Sequence, residues 1–229
     1  MFESVHVIGG DRAGAAIAAR LAERGVAVAI GRPPIPESEL VILAVPDSEI
    51  AEVAQEVHRG RWVALVSGTT PLSALAPHKR RFAVHPLQTL TLDRGPEQLD
   101  GAWAAITADT AGARRRARWL AETLGLRPFE LADADRIIYD AGALVGGNFV
   151  VTLYRVASRL LRDAGAPPEA IVPLMRRTIE NDFDLTGPIA RGDLDTVDAH
   201  IAALEQRAPD LVPLYRALAD ATRAAPDGS

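Results

Sequence analysis

The chain has 229 residues, 48% of them apolar and 24% charged, with a formal net charge of −5 and a pI near 5.6. That composition fits a globular protein of one or two domains, and the acidic balance argues against nucleic acid as a main partner. Cysteine is absent, which excludes disulfides, thiolate catalysis and cysteine-based metal sites.

Val5–Ile8 reads as the first strand and Ala13–Arg24 as the first helix, joined by G-G-D-R at 9–12. The N-terminus enters this strand at once, with no basic leader, and no run reads as a membrane span. A cytoplasmic protein without membrane contact is the expectation. Strand, glycine turn and helix start make a Rossmann first βα unit, whose spacing is G-x-G-x-x-G. Gly9 and Gly14 fill the first and third glycine positions, with Gly10 and Arg12 between. Asp11 stands at the second, where a cofactor pyrophosphate normally approaches the backbone at the helix N-terminus. As N-cap of the helix, Asp11 contributes about 0.5–2 kcal/mol. On that reading the protein supplies its own anion at the pyrophosphate position. Two like charges about 4 Å apart cost roughly 1–4 kcal/mol, enough to weaken or to abolish cofactor affinity.

Gly25 stops the helix and Val26–Ile30 is the second strand. Arg32 follows it, placed either to hold a 2′-phosphate or as a solvated loop residue. Gly31–Pro36 carries three prolines and cannot be helical. The next strand runs from Leu40 to Val45 and stops before Pro46, with Asp47 after it. Only about eight residues, 31–38, link these strands, whereas a helical crossover needs about ten to twelve. The usual helix and extra strand are therefore missing, and the chain returns directly to the other side of strand one. That path is roughly 17 Å back and 10 Å across, within the roughly 26 Å reach of eight extended residues. A helix at Ser48–His58 follows, then strand Trp62–Val66, turn Ser67–Thr70, strand Phe82–Val84 ending at His85-Pro86, strand Trp103–Thr107, helix Ala111–Leu124 and strand Arg127–Leu131. Continuous apolar strands between helices imply a parallel sheet covered on both faces.

The remainder reads as helix. Ala134–Ala164 holds no proline and predicts one helix of about 45 Å. Further helices are expected from Pro167-Pro168 to about Phe183, from a cap at Asp193 through Gln206, and from Pro209 to near Ala224. The fold class is α/β: a truncated Rossmann-type parallel sheet domain, 1–131, followed by an all-helical domain, 132–229.

The runs G-G-D-R-A-G (9–14), V-P-D-S-E-I (45–50), S-G-T-T-P-L-S-A-L (67–75), H-P-L-Q-T-L (85–90), Y-D-A-G-A-L-V-G-G-N-F (139–149) and L-T-G-P-I-A-R-G-D-L-D-T-V (185–197) together resemble one family. It is the family of Rossmann-like oxidoreductases with a helical C-terminal domain of the 6-phosphogluconate-dehydrogenase type, ketopantoate-reductase-like and with largely uncharacterised members. The resemblance implies NADP-linked reduction of a small carbonyl or imine, and a helical domain that forms a homodimer. The chain departs from the family pattern at Asp11, at the lost crossover, and at Asp140, where the family pattern leads one to expect histidine. Asn148 is kept.

In an open parallel sheet, ligands bind beyond the carboxyl ends of the strands. Four such ends are expected to converge: Gly9–Arg12, Val45–Asp47, Ser67–Thr70 and His85–Gln88. Ser67 and Thr69 offer hydroxyls, His85 can exchange a proton near neutral pH and Gln88 can orient a substrate. Asp140 and Asn148 would enter from the helical part. His6 reads as packed, and His58, His78 and His200 show no metal-ligand spacing, so no metal is expected. Gly187–Asp193 reads as a turn and cap, Arg114–Arg116 as a solvated helix face, and Gly142, Gly146 and Gly147 as sites of close helix packing. Two functions remain open. One is an NADPH-dependent reductase of a small keto acid or imine, without the helix-borne lysine of hydroxyacid dehydrogenases, since Lys79 is the only lysine. The other is a degenerate Rossmann protein that has lost dinucleotide binding and serves as a small-ligand binder or assembly partner.

Overall fold

The computed structural model describes residues 1–32 and 37–224, which divide into two compact units, Met1–Gly147 and Asn148–Ser229. The first unit is built on seven strands: β1 (Ser4–Ile8), β2 (Ala27–Ile30), β3 (Leu40–Leu43), β4 (Trp62–Leu65), β5 (Arg81–Pro86), β6 (Trp103–Thr107) and β7 (Arg127–Glu130). Their order is β2-β1-β3-β4-β5-β6-β7. β1 pairs in parallel with both β2 and β3, in registers that set Val5 against Val28 on one side and Leu40 on the other. This is the direct return that the short link requires. The proline-rich residues 33–36, expected to be extended, lie outside the described residues.

The expectation of an all-parallel sheet is corrected at one pair. β6 runs antiparallel to β5, with Val84 opposite Ile106 and Pro86 opposite Ala104. The connection between them carries only a short 3-10 turn, Pro96–Leu99, and an antiparallel pair needs no helical crossover. Parallel pairing resumes between β6 and β7 across helix α3 (Ala111–Thr123).

Both faces of the sheet are covered, which explains the continuous apolar strands. Val5, Val7, Leu40 and Ile42 pack with Ile17 and Leu21 of helix α1 (Arg12–Glu23) and Leu120 of α3. The alternate residues Ile8, Val41 and Leu43 pack with Ile50 and Val53 of helix α2 (Asp47–Glu56). His6 is buried and its Nε2 lies 2.7 Å from the Gly31 carbonyl, as a packed histidine would. Arg116 departs from the solvated face expected for it. Its guanidinium lies 4.2 Å from the centre of the Trp62 ring, a cation–π contact.

The helical stretch after the sheet breaks at Gly147 (φ −110°, ψ −77°) into α4 (Arg136–Gly146) and α5 (Asn148–Asp163). One uninterrupted helix was expected. The division between compact units also falls here rather than at 131/132, because Arg136 and Tyr139 of α4 bond to groups of the sheet unit. By length and composition alone, the stretch 133–163 is long and apolar enough to cross a membrane, which corrects the reading that no run qualifies. The second unit continues with α6 (Ile171–Glu180), α7 (Leu194–Arg207) and α8 (Val212–Ala224). Asp193 caps α7 as expected, its carboxylate accepting from the Thr196 N–H at 3.1 Å and hydroxyl at 2.7 Å.

The turn after β1 tolerates no side chain at two positions. A Cβ on Gly9 (φ +114°) would lie 2.1 Å from the Ala44 carbonyl oxygen, and one on Gly14 would lie 1.9 Å from the Gly9 carbonyl oxygen. Both obstacles are backbone, so β1, α1 and the end of β3 touch through main chain. Gly9→Ala is expected to lower stability by roughly 3 kcal/mol, combining backbone strain with overpacking. Chemical denaturation measures it, and a loss under about 1 kcal/mol would contradict the close approach.

Candidate functional site

The chain ends of β1, β3, β4 and β5 carry the polar residues of the first unit. After β3, Pro46 sits at the N-cap position of α2 and Asp47 opens its first turn, where a carboxylate is favoured by the helix dipole. The Thr69 hydroxyl donates to Asp47 Oδ2 at 2.5 Å. Ser67 takes a different part from the substrate donor expected of it. It is 5% exposed, and its hydroxyl oxygen accepts the Thr69 and Thr70 N–H groups at 3.1 and 2.9 Å. It shapes the turn that presents Thr69. Gln88 is exposed and accepts from the Thr89 N–H at 2.9 Å.

α4 brings three groups to this edge at helical spacing. Arg136, 1% exposed, donates to the Ser67 carbonyl and, at 3.0 Å, to the Thr107 hydroxyl, with Asp133 3.9 Å from its Nε. Asp133 in turn accepts from the Leu72 N–H at 3.0 Å. One turn on, the Tyr139 hydroxyl lies 3.0 Å from His85 Nδ1, the two rings meeting edge to face at 88°. Beside it, Asp140 Oδ1 lies 2.1 Å from where a Cβ on Gly68 would stand, and His85 Cε1 lies 3.1 Å from the same point. Thus Gly68, Asp140 and His85 converge. Neither Tyr139 nor Arg136 was singled out from sequence. The signal was present in the spacing Asp133, Arg136, Tyr139, Asp140, which stacks on one helix face. Asn148 opens α5 in the second unit and is exposed.

Burial governs the protonation of the cluster. Desolvation lowers the His85 pKa below 6.5. The Asp140 carboxylate opposes that shift, Arg136 adds to it, and Asp47 opposes it. Desolvation, reinforced by Asp140, pushes Tyr139 up to about 12. At neutral pH the pair is therefore a neutral imidazole and a phenol. A phenol donating to Nδ1 leaves the imidazole proton on Nε2. Arg136 is likewise lowered by desolvation, with Asp133 the largest opposing influence.

The glycine turn is accessible at one position and carries one acidic side chain. A Cβ on Gly10 would find nothing nearer than 4.0 Å, so the backbone there is accessible. The first-turn N–H groups of α1, which a helix leaves without internal partners, start from this turn. Asp11 occupies the N-cap position, but its side chain makes no capping hydrogen bond, against the expected cap, and it is exposed. Arg12 is exposed beside it. At the end of β2, Arg32 is exposed and lies 3.6 Å from Glu49 and 4.0 Å from Glu56. No group of three or more metal-ligating side chains occurs among the described residues.

A family model described as "Domain of unknown function (DUF2520)" matches residues 102–222. No match is found among curated proteins. Many solved structures share the fold, among them the following three. A "putative NADP oxidoreductase" from Bacteroides fragilis superposes with a TM-score of 0.82 at 19% identity, covering 96% of this chain and 98% of that one. A reductive aminase from Aspergillus terreus, in complex with NADPH and ethyl levulinate, gives 0.68 at 14% identity, covering 97% and 94%. Pyrroline carboxylate reductase from Plasmodium falciparum, with NADP bound, gives 0.58 at 11% identity, covering 98% and 99%.

The cluster carries a direct prediction. In an NMR pH titration, His85 is expected to titrate below 6.5, and Asp140→Asn is expected to move the midpoint lower still, because the carboxylate opposes the desolvation. A midpoint at or above 6.5 in the unmodified protein would contradict the burial described.

Proposed function

The chain belongs to the DUF2520 family, and on that premise we propose that it is an NADP-dependent oxidoreductase that reduces a small keto acid, ketopantoate-like in size, or an imine. The observation that carries this reading is the convergence of His85, Tyr139, Asp140 and the Thr69–Asp47 pair in the same unit as a Gly9–Gly14 turn whose backbone is accessible at Gly10. Rossmann sheets place reacting groups beyond strand ends in this manner. The cofactors named for the Aspergillus and Plasmodium proteins, NADPH and NADP, favour the same cofactor here.

Gly10 and Arg12, with Gly9 and Gly14 shaping the turn, would hold the pyrophosphate, Pro46 and Asp47 the nicotinamide side, and Arg32 the 2′-phosphate. When bound, the reduced nicotinamide supplies a hydride to an sp² carbon. Arg32 must exchange its contacts with Glu49 and Glu56 for the phosphate, and these exposed pairs are weak enough to yield. His85 and Thr69 orient the substrate, and His85 is the group suited to proton transfer.

The protein is further proposed to be a cytoplasmic homodimer that assembles through its helical region. Ile137, Ile138, Val145, Phe149 and Leu153 are exposed apolar residues on α4 and α5. A Cβ on Gly142 or Gly146 would meet nothing within 4 Å, so these glycines do not serve close packing inside the chain. Exposed apolar area of this kind marks an interaction surface. A second reading, loss of dinucleotide binding with the scaffold kept for a small ligand or for assembly, is favoured by the uncapped Asp11 carboxylate.

Consumption of NADPH, followed by absorbance with ketopantoate and with cyclic imines, tests the reductase reading. Turnover is expected with at least one of them, and His85→Phe is expected to lower kcat about 100-fold while NADPH still binds. Bound NADPH that no such substrate oxidises would contradict it.

A further inference from the structure

Resting on the reductase reading, the site's charges separate the two substrate classes. The ionisable groups that act on one another around His85 are Asp47, Asp133, Arg136, Tyr139 and Asp140. Arg136 is the one cation among them. Its guanidinium is 1% exposed, and its Nη groups are given to the Ser67 carbonyl and the Thr107 hydroxyl, with Asp133 beside Nε. It cannot reach out to a substrate carboxylate. His85 is kept neutral by burial. Of the carboxylates, Asp133 is occupied by Arg136 and the Leu72 N–H, and Asp47 accepts from Thr69. The Asp140 carboxylate is half-buried against Gly68 and, among the described residues, accepts no hydrogen bond and makes no close ion pair, though its charge acts on Arg136, His85 and Tyr139 from further away. Its oxygens are thus left to accept from a ligand that brings a donor or a positive charge.

We propose that the group reduced is a cationic C=N, a protonated imine held by the Asp140 carboxylate, rather than the carbonyl of an anionic keto acid. The charge balance of the step agrees. The substrate carbon gains a hydrogen with its electron pair from the dihydronicotinamide, a C–H bond forms, and the C=N π pair moves onto nitrogen. A neutral amine and oxidised nicotinamide result. The proton is taken up earlier, when the imine becomes the iminium, so the hydride step requires none from the protein. A ketone would instead need a proton as the hydride arrives, and the negative charge that develops on its oxygen would face two carboxylates, Asp47 and Asp140. A keto acid would bring its own carboxylate into the same field.

Binding of two unreactive probes tests this without turnover. Pyrrolidinium, which mimics the cation, and oxamate, which mimics a keto acid, are titrated into the full chain by calorimetry, and His85 is followed by NMR to locate the event. Pyrrolidinium is expected to bind at least tenfold more tightly than oxamate and to shift the His85 signals. Asp140→Asn, checked for retained folding by circular dichroism, is expected to weaken pyrrolidinium at least tenfold and to leave oxamate unweakened. Tighter oxamate binding, no pyrrolidinium binding, or pyrrolidinium binding unchanged by Asp140→Asn would overturn the proposal. NADPH is titrated separately. Its failure to bind while pyrrolidinium binding still depends on Asp140 would count against the reductase reading and uphold the cation site.

Discussion

The buried guanidinium of Arg136 is the contact on which the arrangement of the first unit's polar edge depends. A charge at 1% exposure needs compensation, and here two hydrogen bonds from the Nη groups and one longer ion pair supply it from three places, while Nε has no hydrogen-bond acceptor. The Ser67 carbonyl belongs to the turn after β4, the Thr107 hydroxyl to the end of β6, and Asp133 to the segment entering α4. These bonds fix the start of α4 against the sheet. Helical geometry then determines where Tyr139 and Asp140 stand, one turn along the same face. The Tyr139–His85 bond and the Asp140–Gly68 approach follow from that anchorage. Removing one partner would leave buried polar groups unpaired, a loss larger than the net worth of the bonds themselves.

The glycine turn after β1 is set by backbone rather than by charge. Gly9 and Gly14 let β1, α1 and the end of β3 meet through main chain, which holds the glycine turn in place. Asp11 sits at the mouth of that turn without bonding to the helix it precedes. Its carboxylate adds a favourable charge at a helix N-terminus and an unfavourable one toward a pyrophosphate. Two acidic residues of α2, Glu49 and Glu56, already pair with Arg32 and would compete with the 2′-phosphate of the proposed cofactor. On that reading, affinity for a dinucleotide would be a balance between an accessible backbone and a local excess of negative charge.

Much of the sheet was legible in the sequence because buried parallel strands leave continuous apolar runs, and Leu40–Leu43 is the clearest of them. The position of β3 beside β1 followed from chain reach alone. The reversal at β6 was hidden, since an apolar strand carries no mark of its direction and the loop before it was read without regard to its missing helix. The break at Gly147 was hidden too, because glycine lowers helix propensity without dictating an end. Strand-end logic placed His85, Asp47 and Thr69 at the carboxyl edge of the sheet, where the structure has them. Tyr139 and Arg136 escaped because their partners lie far along the chain, 54 residues for Tyr139 and His85 and 69 for Arg136 and Ser67. Ser67 has a structural part that its residue type did not announce: its hydroxyl oxygen accepts two N–H groups of the turn.

On the proposed reading, the Gly9–Gly14 turn still holds a nicotinamide dinucleotide with Asp11 in place. The test is a titration of the unmodified protein and of Asp11→Gly with NADPH and NADH, followed by energy transfer from tryptophan. Saturable NADPH binding by the unmodified chain is expected, tighter in Asp11→Gly and weaker for NADH. Absence of binding in both proteins would contradict it and move the search to ligands that carry no pyrophosphate.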